Sequence, residues 1–250
     1  MPASNSENRI STILLDVEGT TTPIDFVYKT LFPYARAHTR DFIATSLSAG
    51  QLSEDLLGLI QEHGADLAAG HSPPPIPKDP QNHPESLVDY CYWLMDQDRK
   101  STPLKSIQGK IWEAGYNRGE IKSEVFADVP RAFERWTSQR REICIYSSGS
   151  VLAQKLLFAN TNAGDLTRFI RAYFDTSIGP KKEAASYRRI AAEVRRSPNE
   201  VLFLSDTTAE LAAARKAAFD AMLCSRPGNQ QQQGEQEYNV VGTFDDIFPT

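Results

Sequence analysis

The chain has 250 residues, with 27 Lys and Arg against 32 Asp and Glu, a formal charge of −5. At 40% apolar and 24% charged residues it is an ordinary globular composition, which excludes disorder as a whole-chain description. No apolar run approaches the ~18 residues of a membrane span, and the acidic balance argues against a general nucleic-acid partner. Cys91, Cys144 and Cys224 are odd in number and far apart, without metal-ligand spacing, and the four histidines are scattered. A disulfide framework and a zinc site are therefore not expected. MPASNSENR at the N-terminus lacks the apolar stretch of a signal peptide. A reduced, intracellular, cytoplasmic monomer follows, small enough to enter the nucleus as well.

Ile10–Leu15 is short, apolar and stops abruptly at Asp16, with Gly19 and three threonines beyond it. It reads as a buried strand running into a loop. Residues 25–125 carry helix-like segments near 26–47, 52–62, 86–98 and 104–118 and no convincing strand. Their middle, 63–85, is rich in Pro, Gly and polar residues and reads as a mobile loop. Helical patterns then cover Val129–Ser138, Val151–Phe158, Lys182–Arg196 and Thr207–Ala218, and apolar strands Glu142–Tyr146, Val201–Leu204 and Ala221–Cys224 alternate with them. Such alternation, with near-continuous apolar strands, predicts a doubly wound, Rossmann-like parallel α/β core. The core comprises 1–24 and 126–250, interrupted by an all-helical insert over 25–125. Gln230–Gln233 reads as a surface loop.

Ligands of open α/β sheets bind beyond the carboxyl ends of the strands, and three predicted strands end in reactive side chains. Asp16 and Glu18 follow the first: one carboxylate can attack phosphorus while the other exchanges protons with the leaving oxygen and with water. Ser147, Ser148 and Ser150 open a helix, where hydroxyls and free N–H groups hold anions. Lys181 and Lys182 stand at another helix start, against the macrodipole, so an anionic ligand or simple solvation must favour them. Asp206, ending the third strand, could hold Mg²⁺ together with Asp16. Each loop also has a plainer reading as a turn, an N-cap or a solvated face. Jointly they supply nucleophile, acid and base, phosphate-binding cation and metal, the parts of a metal-dependent phosphohydrolase.

The four loops resemble those of the haloacid dehalogenase-like superfamily, with a helical cap inserted after the first. LLDVEGTTTPIDFVYKTLFPYA, LKSIQGKIWEAGYNRGEIKSEVFADV, IYSSGSVLAQKLLF, FDTSIGPKKEAASYRRIA and VLFLSDTTAELAAA, about 100 residues in all, resemble the enolase-phosphatase family of methionine salvage. The resemblance implies enolisation and then dephosphorylation of a small phosphorylated diketone, 2,3-diketo-5-methylthiopentyl 1-phosphate, to the acireductone 1,2-dihydroxy-3-keto-5-methylthiopentene. It implies one Mg²⁺ per chain at Asp16, Glu18 and Asp206, catalysis by Asp16 and Glu18, and substrate phosphate on Ser147, Ser148 and Lys181. Lys182, one position off the motif, is left as a solvated residue. Most of the superfamily has Asp where this chain has Glu18. The extra methylene gives that side chain reach toward carbon-bound protons as well as the leaving oxygen, while its backbone carbonyl contacts Mg²⁺. Lys110, Glu113 and Tyr116 of the cap are further candidates for the carbon proton, and Ile111 and Trp112 beside them read as core. A phosphatase of the same superfamily acting on another small phosphorylated metabolite is the alternative.

Overall fold

Thr12–Leu15 forms β1, and all four of its residues are buried, as a strand covered on both faces requires. In the computed structural model, residues 9–48 and 53–249 are described. The N-terminal segment MPASNSEN and the start of the 52–62 segment therefore lie outside the described residues. The other strands are β2 Glu142–Tyr146, β3 Ile170–Phe174, β4 Val201–Ser205, β5 Asp220–Cys224 and β6 Asn239–Val241. They form one six-stranded sheet in the order β3-β2-β1-β4-β5-β6, parallel throughout.

That order is doubly wound, and its direction reverses around β1, where the crevice for a ligand opens. Register brings the ends level: Leu15 stands beside Ile145 on one side and Leu204 on the other. The next residues, Asp16 and Ser205, are therefore neighbours across the β1–β4 edge. Helices α5 (Asp128–Ser138), α6 (Val151–Ala159), α7 (Ala184–Glu193) and α8 (Thr208–Lys216) connect the strands. One core layer joins Leu14, Cys144, Tyr146 and Phe203 of the sheet to Tyr187, Ile190, Leu211 and Ala214 of α7 and α8. α5 packs against β2 and carries Phe133 and Trp136 into an aromatic cluster with Phe158 and Phe244.

The chain divides into two units, one formed by the chain up to Tyr28 together with Lys122 onward, the other by Lys29–Ile121. The first boundary falls inside continuous helical chain, since Ile24–Phe26 runs through a π-helical turn at Val27–Leu31 into α1, Phe32–Ser48. The second unit holds α1, α2 (Glu54–Ala68), α3 (Pro84–Asp96) and α4 (Thr102–Asn117). α1 packs on α3 and α4, and α2 on α4. Ser53 and Ser101 cap α2 and α4, each accepting from the N–H three residues on.

Two expectations need correction. Residues His63–Ala68 belong to α2 rather than to the loop, because His63 and Asp66 continue the buried ridge of Leu56 and Leu59 at helical spacing. In the rest of the Pro-rich stretch Pro73 and Pro80 are buried among mostly exposed residues, and the His63 ring nitrogen meets the Pro74 carbonyl at 2.9 Å. Strands β3 and β6 were absent from the sequence expectation. Both lie at sheet edges, where exposed polar residues such as Arg171 and Asn239 break the apolar run that marks a central strand. No helix among the described residues is long and apolar enough to cross a membrane.

A buried charged node ties the first loop to the C-terminal segment. The Arg226 guanidinium meets the Asp128 carboxylate at 2.7 Å and donates to the carbonyls of Thr20 and Gly242, between the rings of Phe126 and Phe244. Breaking a buried pair from one side leaves an uncompensated charge. Arg226→Ala is expected to cost about 3–5 kcal/mol of stability, seen as a lower urea midpoint of the α/β unit.

Candidate active site

Asp16 is 5% exposed at the end of β1, and each of its oxygens is engaged. Oδ1 accepts from the Val17 N–H at 2.7 Å and lies 2.6 Å from the Lys181 ammonium. Oδ2 faces the Ser205 hydroxyl at 3.2 Å. Beyond Asp16 the chain folds back at once, with the amides of Thr20, Thr21 and Thr22 all donating to the Val17 carbonyl. Gly19 takes φ +67°, and a Cβ there would collide with Asp206 Oδ2. Only glycine serves at this point, because the conformation is left-handed and the space is filled. Glu18 is half-buried in the same turn, bridged by backbone to Thr22.

Lys181 comes from the loop after β3, so all four chemistry-bearing loops follow strands. Its side chain is 9% exposed and sits between Asp16 and Glu210, whose Oε2 is 2.7 Å away. Two buried tyrosines hold the loop: Tyr146 donates to the Gly179 carbonyl at 2.8 Å, and Tyr187 to the Lys181 carbonyl at 2.7 Å. Burial alone would lower the Lys181 pKa, but the charges of Asp16 and Glu210 outweigh it and raise the value above that of an ordinary lysine. The ammonium is thus permanently charged. Lys182 is exposed.

Asp206 follows β4 and is pushed up to about 6, first by burial and then by the charge of Asp16. Glu210, in the first turn of α8, is raised for the same two reasons, and its Oε2 also faces the Ser205 hydroxyl at 2.9 Å. Three carboxylates, Asp16, Asp206 and Glu210, therefore cluster where one ammonium pairs with only two of them, Asp16 and Glu210. Among the described residues no three His, Cys, Asp or Glu side chains form a ready metal cage. Two carboxylates and a backbone oxygen nevertheless suit a hard cation that keeps several waters. The excess negative charge, visible as the raised Asp206, is what such a cation would neutralise.

Ser147 is buried at the end of β2, where its hydroxyl accepts from the Gly149 N–H at 3.1 Å, and Ser148 is half-exposed beside it. Ser150 caps α6 by accepting from Ala153, and Asp175, after β3, accepts from the Val151 N–H. The structure thus brings Asp16, Lys181 and Asp206 into one electrostatic cluster, with the serine loop on the neighbouring strand. Of the cap candidates, Lys110 is paired with Asp55 at 2.5 Å, Tyr116, Ile111 and Trp112 are buried, and Glu113 is exposed. Ser205, Glu210, Tyr146 and Tyr187 were missed as site residues. For Glu210 a signal existed, since an acid three residues into an alanine-rich helix stands one turn from Asp206. Nothing local marks the tyrosines.

The model of the haloacid dehalogenase-like hydrolases matches residues 10–218, and the chain belongs to that family. The L-2-haloacid dehalogenase of Xanthobacter autotrophicus superposes with a TM-score of 0.53 at 14% identity, over 95% of this chain and 96% of its own, a likeness of fold alone. Within the family the similarity is much closer to one group. The enolase-phosphatase E1 of Synechococcus elongatus is 49% identical over 238 residues, 95% of this chain and 98% of its own. That of Drosophila melanogaster is 42% identical over 94% of this chain and 90% of its own. The crystal structure of the UTR4 protein of Saccharomyces cerevisiae matches with a TM-score of 0.75 and 35% identity, covering 95% of this chain and all of its own.

The raised Asp206 has a measurable consequence. Between the unfolded value, 3.8, and the folded value of about 6, the folded protein binds more protons than the unfolded chain. Stability must then fall as pH rises through that window. Urea titrations of the metal-free protein at pH 4.5, 5.5 and 6.5 are expected to show this decline, reduced in Asp206→Asn to the part that the raised Glu210 contributes.

Proposed function

We infer that the chain is an enolase-phosphatase of methionine salvage, a hydrolase that enolises 2,3-diketo-5-methylthiopentyl 1-phosphate and releases its phosphate to give the acireductone. The observation that carries the chemistry is the Asp16 carboxylate, buried at the sheet's switch point with its Oδ1 on Lys181 and its Oδ2 on Ser205. The near-full-length identity to named enolase-phosphatases supports the substrate.

In this reading an Asp16 oxygen attacks phosphorus while the bond from phosphorus to the substrate oxygen breaks, leaving an aspartyl-phosphate. Glu18 protonates the departing oxygen and then takes a proton from the water that hydrolyses the acyl phosphate. Lys181, fixed by two carboxylates and two tyrosines, supplies a permanent positive charge for the transferring phosphoryl group. The Ser147–Ser148 loop receives the remaining phosphate oxygens at the start of α6. Asp16, Asp206 and the Glu18 carbonyl would hold one Mg²⁺, which when bound would supply Lewis-acid stabilisation of charge on the phosphate and on the adjacent ketone. The helical unit acts as the cap that selects substrate. We place the reaction in the cytoplasm and in a monomer. The buried, reduced Cys91, Cys144 and Cys224 support the former.

Incubation with the diketo phosphate and Mg²⁺, following enol absorbance and phosphate together, is expected to give both products; phosphate from unrelated esters at equal efficiency would refute the substrate. Asp16→Asn is expected to lower phosphate release at least a thousandfold, roughly 4 kcal/mol of barrier. Glu18→Gln is expected to slow at least one of the two steps, and wild-type rates for both would remove it from the mechanism.

A further inference from the structure

The turn after β5, Arg226-Pro227-Gly228-Asn229, reaches back across the molecule to the loop that bears Asp16 and Glu18. It closes with the Asn229 N–H on the Arg226 carbonyl at 3.1 Å. From it, Arg226 Nε donates to the Thr20 carbonyl at 3.1 Å, and Asn229 Nδ2 to the Gly19 carbonyl at 2.9 Å and the Cys224 carbonyl at 3.2 Å. Two consecutive carbonyls of the first loop are therefore gripped by one turn. An asparagine can occupy a turn for its backbone alone, but that explains neither contact with a loop some 210 residues earlier in the chain.

The other end of the amide points to a second task. Both Nδ2 hydrogens are used, which fixes the orientation of the group, while Oδ1 is closed off from solvent and has no hydrogen-bond partner. A buried acceptor left unpaired costs about 1–3 kcal/mol, so its retention needs a reason. Oδ1 and Asp206 Oδ2 converge on Gly19, each within 3 Å of where a Cβ would stand. Asp206 and Asn229 also line one cleft of about 270 Å³ with Cys224 and Gln230–Gln232. An acceptor packed beside a carboxylate is unfavourable until a donor comes between them. A hydrated cation brings such donors, because its waters present hydrogens outward.

We propose that Asn229 is a positioning residue for the reaction, in which Nδ2 locks the Glu18–Gly19 turn against Asp206 and Oδ1 accepts a hydrogen from a water of the cation. This rests on the assignment of Mg²⁺ to Asp16 and Asp206. The test is calorimetric titration of Mg²⁺ into the metal-free protein, alongside kcat and KM. In Asn229→Ala the Mg²⁺ Kd is expected to rise and kcat to fall, each about 10- to 100-fold, with KM for the diketo phosphate little changed. Asn229→Asp keeps the acceptor and loses both donors, so Mg²⁺ affinity is expected to return to the unsubstituted level or better while kcat stays low. A purely structural role would lower the melting temperature and leave the Mg²⁺ Kd of the folded protein untouched. Should Asn229→Ala fail to fold, Asn229→Asp and Asn229→Ser give the same readouts. Folded variants with unchanged Mg²⁺ Kd and kcat would overturn the proposal alone. Absence of Mg²⁺ binding by the unsubstituted protein would overturn the metal assignment and the proposal with it.

Discussion

A single buried ammonium organises the catalytic end of this sheet. Lys181 lies 2.6 Å from Asp16 and 2.7 Å from Glu210, almost out of reach of water. Taking any of these charges out of solvent is costly, and the ammonium offsets it by serving as counterion to both carboxylates. The arrangement also leaves negative charge over, since Asp206 has no such partner and is pushed up to about 6. The surplus negative charge is what a divalent cation would balance in the proposed mechanism.

The fold exists to bring these groups together from distant stretches of chain. Parallel strands can be neighbours only through long crossovers, so Asp16, Ser147, Lys181 and Ser205 arrive from four separate strand ends. The reversal of winding around β1 leaves no crossover helix over that point. Gly19 is a close-packed point of the assembly: its missing side chain lets the first loop touch Asp206, and its carbonyl is held by Asn229.

Much of this was legible in the residues. The four central strands were marked by unbroken apolar runs, and each ended where a charged or hydroxyl side chain began. Asp16, Glu18, Ser147, Ser148 and Asp206 could be named as candidates because chemistry at strand ends follows a spatial rule that survives in one dimension, whereas Lys181 was named from its place at a helix start and from the family resemblance. The edge strands β3 and β6 were not legible, since they are short and mostly exposed or half-buried and so carry neither an apolar run nor an alternation. The extension of α2 through Ala68 was hidden because His63 and Asp66, polar residues, occupy its buried face. Their burial is made possible by partners far away, Pro74 for the histidine and Tyr90 with Arg99 for the aspartate.

By itself, then, the sequence determined the alternation of elements, the helical insertion after the first strand and the candidate side chains at the strand ends, all set by local periodicity and residue type. Only the tertiary structure decided which groups share charge. The placement of Lys181 between Asp16 and Glu210, the grip of Tyr146 and Tyr187 on its loop, and the reach of Arg226 and Asn229 to the first loop depend on sheet order and register. Those are long-range quantities that arise when strands remote in sequence pair, and no local pattern encodes them.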